Sequence, residues 1–287
     1  METLLLVDSH ALIHRFFHAL PPLNTPSGQP ISAIYGLANI VLKIFREQKP
    51  DYIAATFDRP EKTFREEIFK EYKATRKKAV PELISQFKLA RELFDKFKIP
   101  VVEMPGYEAD DLIGSLVEKF RKEKDLKIII VSGDLDLLQL VEDEKVVVQF
   151  LKKGLSDTVL YDEKAVAARY GLKPDRLPDL KGFLGDVSDN IPGVKGVGEK
   201  TAIPLLQKYD TVEGVYEHLW EIPEKIGSKL EAGKESALFS RQLATIKRDV
   251  SMLVQELDDL KLEEFDKNKI IKYFESLGFY SLVKRLE

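Results

Sequence analysis

Nine carboxylates in this 287-residue chain sit where strands should end or helices should begin. Leu4-Leu5-Leu6-Val7 runs into Asp8, and Tyr52 to Phe57 runs into Asp58. Ile128 to Val131 leads through Ser132-Gly133 to Asp134 and Asp136. Glu108, Asp110 and Asp111 follow a Pro-Gly-Tyr turn, and Asp186 and Asp189 form a fifth cluster. Short apolar runs rich in Val and Ile read as buried parallel strands, and open α/β sheets bind ligands beyond the carboxyl ends of their strands. Nine acids gathered at one edge cannot all be ionised without cations. Donors that are all oxygen point to Mg2+ or Mn2+ rather than zinc. Exposure or helix capping explains any one cluster, Glu108/Asp110/Asp111 for instance. It does not explain five clusters converging on one edge.

The elements that must hold these groups alternate. Helical spacing covers about Ser9 to Leu20, Ser32 to Gln48, Pro81 to Phe97 and Tyr107 to Glu123; strands fall between, at 52–57, 101–104 and 128–131. Alternation of this kind predicts a parallel, doubly wound sheet. Val146–Leu151 and Val159–Tyr161 predict two more strands around a Lys-Gly turn. From about Asp162 onward the pattern is helical, so a second, mostly helical region is expected to begin near 162–175, with a charged segment and one helix beyond about Asp258.

Three other features could do chemistry. Residues 59–80 interleave Lys62, Arg65, Lys70, Lys73, Arg76, Lys77 and Lys78 with Phe64, Phe69 and Tyr72. A charge run is usually a solvated face, but this one follows Asp58 directly and suits phosphate contact with base stacking. The run Gly193-Val-Lys195-Gly196-Val-Gly198-Glu-Lys200-Thr201 could bring backbone amides to a phosphate at a helix start. It lacks P-loop spacing and follows no strand, so neither a nucleotide nor a dinucleotide site is indicated. His10, His14 and His18 share one helical face, a row that could bind zinc. Leu12, Ile13, Phe16 and Phe17 on the same helix favour a buried, structural reading instead. Cysteine is absent, which excludes disulfides, thiolate metal sites and a Cys-His nucleophile.

The net charge is −4, yet setting the nine candidate ligands aside from 48 acids leaves 39 against 44 Lys and Arg, a balance of +5. A nucleic-acid partner is therefore compatible with the composition. No stretch has the length of a membrane span, the first residues enter a strand without a signal-peptide pattern, and the lack of Cys fits a reducing cytoplasm.

Together these motifs resemble the 5′-nuclease (flap endonuclease) superfamily, and within it the 5′→3′ exonuclease domain of bacterial DNA polymerase I. The residues that carry the likeness are Leu-Val-Asp8, Phe-Asp58, Thr63-Phe-Arg65, Tyr72-Lys73, Gly106-Tyr-Glu108-Ala-Asp110-Asp111, Ser-Gly-Asp134-Leu-Asp136-Leu, Leu-Gly-Asp186-Val-Ser-Asp189-Asn-Ile-Pro, the glycine-rich run and Gln242-Leu-Ala-Thr-Ile-Lys247. They extend from about Leu4 to the end of the chain.

The resemblance implies a PIN-like α/β core at 1–175 with a basic helical arch at about 60–90. It places a helical duplex-binding region with a helix-hairpin-helix-like clamp, and the tail, at 176–287. All nine carboxylates match metal-site positions for two Mg2+ or Mn2+ ions: Asp8, Asp58, Glu108, Asp110, Asp134 and Asp136 for the first, and Asp111, Asp186 and Asp189 for the second. Arg15, Arg65, Lys73 and Arg76 match phosphate-contacting positions, with Lys73 and Arg76 supplying charge to the transition state. Tyr72 matches an arch position. Gly193, Lys195, Gly196, Gly198, Lys200 and Thr201 match the duplex clamp, with K+ as a further expected ion.

Members that lack part of the later acidic set are weak or inactive; this chain has the whole set. Leu135 stands where Lys is usual, Ser9 where Gly is common, and Lys77-Lys78 where a Pro-rich pair is. The expected activity is structure-specific hydrolysis of 5′ flaps and 5′ ends of branched or nicked DNA, RNA-primed junctions included, in replication and repair. The protein is expected to be monomeric, in the cytoplasm at the bacterial nucleoid, either excised from a polymerase or a stand-alone nuclease partnered by a polymerase in trans. A non-catalytic module for branched DNA is the alternative of a different class. An RNA-directed PIN nuclease is disfavoured by the glycine-rich clamp.

Overall fold

A computed structural model describes residues 1–154 and 157–286; the final residue of the expected helical region and tail, Glu287, lies outside the described residues. Six strands, β1 (Glu2–Asp8), β2 (Tyr52–Thr56), β3 (Val101–Val102), β4 (Leu126–Ser132), β5 (Val146–Lys153) and β6 (Asp157–Tyr161), form one sheet in the order β3-β2-β1-β4-β5-β6. The first five are parallel, and β6 closes the edge antiparallel to β5. Chain order reverses beside β1: β2 lies on one side of it and β4 on the other. That is the switch point at which α/β sheets open a crevice. In register, Asp8 stands opposite Thr56 and Val7 opposite Val131, so these three strands end together.

The middle of β1, Leu4 to Val7, is an unbroken apolar run because both of its faces are covered. Leu4 and Leu6 join one core with Ile128, Ile130, Leu112 and Leu116, while Leu5 and Val7 join the other with Leu37, Ile53 and Phe94. Each such side chain contributes about 1.5–3 kcal/mol of burial.

Helices α1 (Ser9–Ala19), α2 (Ser32–Glu47), α3 (Phe64–Ile68), α4 (Pro81–Lys96) and α5 (Ala109–Phe120) cover the sheet or border it. Asp8 caps α1, its carboxylate accepting from the Ala11 amide at 3.1 Å. Pro81 opens α4 at the helical position where a missing N–H costs nothing.

The second region contains α6 (Glu163–Tyr170), α7 (Leu177–Leu184), α8 (Glu199–Tyr209), α9 (Val212–Glu217), α10 (Glu224–Ala232) and α11 (Lys234–Ala244). It has its own core of Leu180, Phe183, Val194, Val197, Leu206, Val215 and Leu230. Among the described residues no helix is long and apolar enough to cross a membrane.

Two segments add detail to this arrangement. The segment expected as a helical arch contains only the five-residue α3 before α4; residues 70–76 are turns and 77–80 irregular. The tail does not stay with the helical region. Helices α12 (Lys267–Ser276) and α13 (Tyr280–Val283) return to the sheet layer, where Ile270, Phe274 and Leu282 pack into the core that holds Phe94 and Phe97.

Candidate metal centre

Each strand-end acid has a backbone task that fixes its carboxylate. Asp8 accepts from Ala11 N with one oxygen and from Ser132 Oγ, at 2.5 Å, with the other. Asp58 accepts from the Ala109 amide at 2.7 Å, tying the end of β2 to the start of α5. Asp134 accepts from the Asp136 amide at 2.9 Å and donates its own N–H to Ser132 Oγ. These turns aim Asp8, Asp58, Glu108, Asp110, Asp134, Asp136 and Asp189 at one cavity of about 260 Å3 beyond the ends of the strands.

The two other expected ligands lie apart from that cavity. Asp186 lines the adjoining pocket and is held by Lys181 at 2.6 Å and by Ser188. Asp111 is fully buried behind the site, paired with both Nη atoms of Arg65 at 2.7 and 2.8 Å. One Asp111 oxygen lies within 4.8 Å of oxygens of Glu108 and Asp110. Both of its oxygens are nevertheless engaged, by Arg65, the Lys247 amide and the Glu108 amide. Asp111 therefore holds Arg65 and the start of α5 in this conformation.

Burial, with the neighbouring carboxylates, pushes Asp8 up to about 7 and Asp58 and Asp136 up to about 6. It pushes Asp110 well above its ordinary range, with Asp111 adding to the effect. Such groups are poised to exchange a proton for a metal ion. Burial also opposes ionisation of Glu108 and Asp186, but adjacent cations outweigh it: Lys73 and Arg65 lower Glu108, and Lys181 holds Asp186 at about 2. Hard oxygen donors, raised carboxyls and shared enclosure fit divalent ions of the Mg2+ or Mn2+ type.

Cations already lie among these acids. Lys73 pairs with Glu108 and Arg76 with Asp189. Lys181 spans Asp136 at 2.5 Å and Asp186 at 2.6 Å. Lys73 takes a left-handed backbone conformation, φ +54°, and its N–H donates to the Asp189 carbonyl. A non-glycine residue held there carries strain of a kind that collects at functional sites.

Not every expected DNA contact is free to touch DNA. Arg65 is 1% exposed, with bonds to Asp111, Glu108 and the Leu243 and Thr245 carbonyls. Tyr72 is buried and donates toward Glu108 and Asp189. The Gly193 amide is buried and donates to Ser240 Oγ at 2.9 Å. In this conformation the polar atoms of these three are satisfied inside the protein. Arg15 binds the Lys152 carbonyl at 2.6 Å and lies over Phe150, linking α1 to β5. Lys195, Gly196, Gly198 and Lys200 are exposed on the turn into α8, with Thr201 half-buried; Val194 and Val197 anchor that turn in the helical core. Lys77 and Lys78 are exposed, and Leu135 packs against the apolar core under the sheet.

Sequence reasoning passed over Lys181 and favoured a structural reading for His10 and His14. Lys181 had one available signal, a lone cation in an apolar helix five residues before Asp186. His10 and His14 line the carboxylate cavity rather than the core. His10 Nε2 is 3.5 Å from Asp58 Oδ2, and burial, with Lys73 beside it, lowers His10 to about 4. The signal for His10 was its place two residues after Asp8.

Residues 3–171 match the family described as 5′-3′ exonuclease, N-terminal resolvase-like domain, and residues 172–268 match 5′-3′ exonuclease, C-terminal SAM fold. The chain is 43% identical to DNA polymerase I of Caldicellulosiruptor bescii over 99% of its own length and 33% of that protein. It thus spans about a third of the polymerases it matches. It is 37% identical to the 5′-3′ exonuclease of Aquifex aeolicus over 100% of its length and 96% of that protein. The fold is similar to bacteriophage T5 D15 flap endonuclease in a complex with DNA and metal ions, with TM-score 0.68, 20% identity, and 99% and 96% of the two chains covered.

Proposed function

Because this chain belongs to the 5′-3′ exonuclease family, we propose that it is a structure-specific 5′ nuclease. It hydrolyses phosphodiester bonds at 5′ flaps and 5′ ends of duplex DNA and of RNA-primed junctions, in replication and repair at the nucleoid. The observation that carries this reading is the convergence of seven carboxylates on one cavity at the switch point of the sheet, with Lys73 and Arg76 over it.

Two divalent ions, Mg2+ or Mn2+, would supply water activation and stabilise the departing 3′-oxygen when bound. Asp8, Asp58, Asp110, Asp134 and Asp136 would hold them, with Glu108 and Asp189 available once their cationic partners turn to substrate. Asp186 adjoins this set through Lys181. No protein nucleophile is needed. Lys73 and Arg76 supply positive charge to the phosphoryl group as it gains charge in the transition state. The exposed turn at Lys195–Lys200 meets duplex backbone, with Thr201 behind it and K+ as a candidate bridging ion. Phosphate contacts read structure rather than sequence, so substrate choice follows the branch point. A polymerase domain in cis or in trans would supply or consume these junctions, and the chain acts as a monomer.

The test is Asp134→Ala on a labelled flap substrate. Its carboxylate faces the cavity and is exposed. Cleavage in Mg2+ should fall at least about a thousandfold, while flap binding in Ca2+ stays within about threefold. Full cleavage by this variant would rule out the metal centre. Failure of the wild-type chain to cut any flap, nicked or gapped substrate would leave a non-catalytic branched-DNA module.

A further inference from the structure

We propose that His10 is a direct ligand of one divalent ion, placing a nitrogen donor among the carboxylates and tilting this centre toward Mn2+ over Mg2+. The inference rests on the nuclease reading above, since it requires ions in the carboxylate cavity. His10 stands in the first turn of α1 and lines the same cavity as Asp8, Asp58, Glu108 and Asp110.

Its Nε2 lies 3.5 Å from Asp58 Oδ2, beyond ordinary hydrogen-bond range. Two donors each about 2.1 Å from one ion stand roughly 3.0 Å apart at a right angle and roughly 3.4 Å apart at a tetrahedral angle. The observed gap is therefore one that a shared ion closes with a small adjustment. Nδ1 is buried and has no hydrogen-bond partner among the described residues, so nothing there draws the ring away from Asp58. The ring is also fixed in place: Phe87 of α4 stacks on it at 4.7 Å and 26°, and His14 lies 4.9 Å away. Swinging the imidazole out of the cavity would cost both contacts. Imidazole raises affinity for Mn2+ more than for Mg2+, which prefers oxygen and sheds water reluctantly.

The experiment adds Mn2+ alone to the DNA-free protein and reads 14N modulation by pulsed electron paramagnetic resonance. A directly bound imidazole signal is expected in the wild type, lost in His10→Asn and His10→Gln and kept in His14→Phe, with circular dichroism confirming that each variant is folded. Mn2+ affinity should weaken about tenfold or more in the two His10 variants and Mg2+ affinity less than about threefold. Bound Mn2+ without nitrogen modulation in the wild type overturns the assignment, as does modulation that survives in both His10 variants. Wild-type cleavage of a flap in Mg2+ separates this outcome from the broader reading. Cleavage without a nitrogen signal removes only the histidine ligand, whereas absence of both cleavage and Mn2+ binding removes the nuclease reading with it.

Discussion

Arg65 donates to both oxygens of Asp111 in a site closed to water. Removing one member of a buried ion pair strands the other, at a typical cost of about 3–5 kcal/mol. Arg65→Ala should therefore lower unfolding free energy by about that amount, read from urea midpoints with unchanged slope. An unchanged midpoint with weakened flap binding would return Arg65 to the phosphate-contacting role. Lys73 differs because it is partly exposed and meets the cavity. Lys73→Ala should reduce single-turnover cleavage about a hundredfold or more while flap affinity in Ca2+ changes less than about threefold. Equal losses in rate and binding would make Lys73 a positioning contact only.

At the scale of elements, the loop that bears Asp186 and Asp189 is closed by two glycines. Gly185 and Gly193 have φ of +70° and +63°, and a Cβ on Gly193 would meet Gly185 N at 2.3 Å. Backbone against backbone leaves no room to adjust, so Gly193→Ala should destabilise the protein by about 1–3 kcal/mol. Gly198 has open space around its Cβ position, so Gly198→Ala should leave the melting temperature within about 1–2 °C by calorimetry. The reverse pattern would show that the loop is not closed by this contact.

The strands were legible in the sequence because the middles of β1 and its neighbours are covered on both faces and so read as unbroken apolar runs. The chain order of βα units then fixed the edge where Asp8, Asp58 and Asp134 meet. The aromatic residues of 59–80 were not legible because charge density says nothing about where an aromatic points. Tyr72 and Phe69 turn inward onto Ile191, Leu243 and Phe239, partners more than a hundred positions away. The fate of Arg65 was hidden for the same reason, since Leu243 and Thr245 supply its carbonyls. The return of α12 to the first core also depends on contacts between distant parts of the chain, which local periodicity does not encode.

At the scale of the whole molecule, two sets of buried groups oppose each other in acid. Asp8, Asp58 and Asp136 are raised toward 6–7, so between about pH 4 and 7 the native state holds more protons than the unfolded chain, and stability falls as pH rises. His10 and His14 are lowered to about 4, so between about pH 4 and 6.5 the unfolded chain holds more protons, and stability rises with pH. Asp110 is raised as well, so the carboxyl set outnumbers the two histidines, and the metal-free melting temperature should fall as pH rises from 4 to 6. The rise in melting temperature produced by Mn2+ should grow steadily from pH 5 to 8, as the raised carboxyls give up their protons. A metal-induced shift that is the same at both ends of that range would show that the carboxylates are already ionised.

The cations seated among the acids bear on how the ligands act on one another. An ion that takes Glu108 or Asp189 competes with Lys73 or Arg76 for the same oxygens, and so releases those side chains toward a phosphate. By thermodynamic reciprocity, a phosphate that engages them must tighten ion binding by the same factor. Ion affinity and flap affinity are then a single coupled quantity, and a flap with an uncleavable linkage should leave the ions bound more tightly than in the free protein.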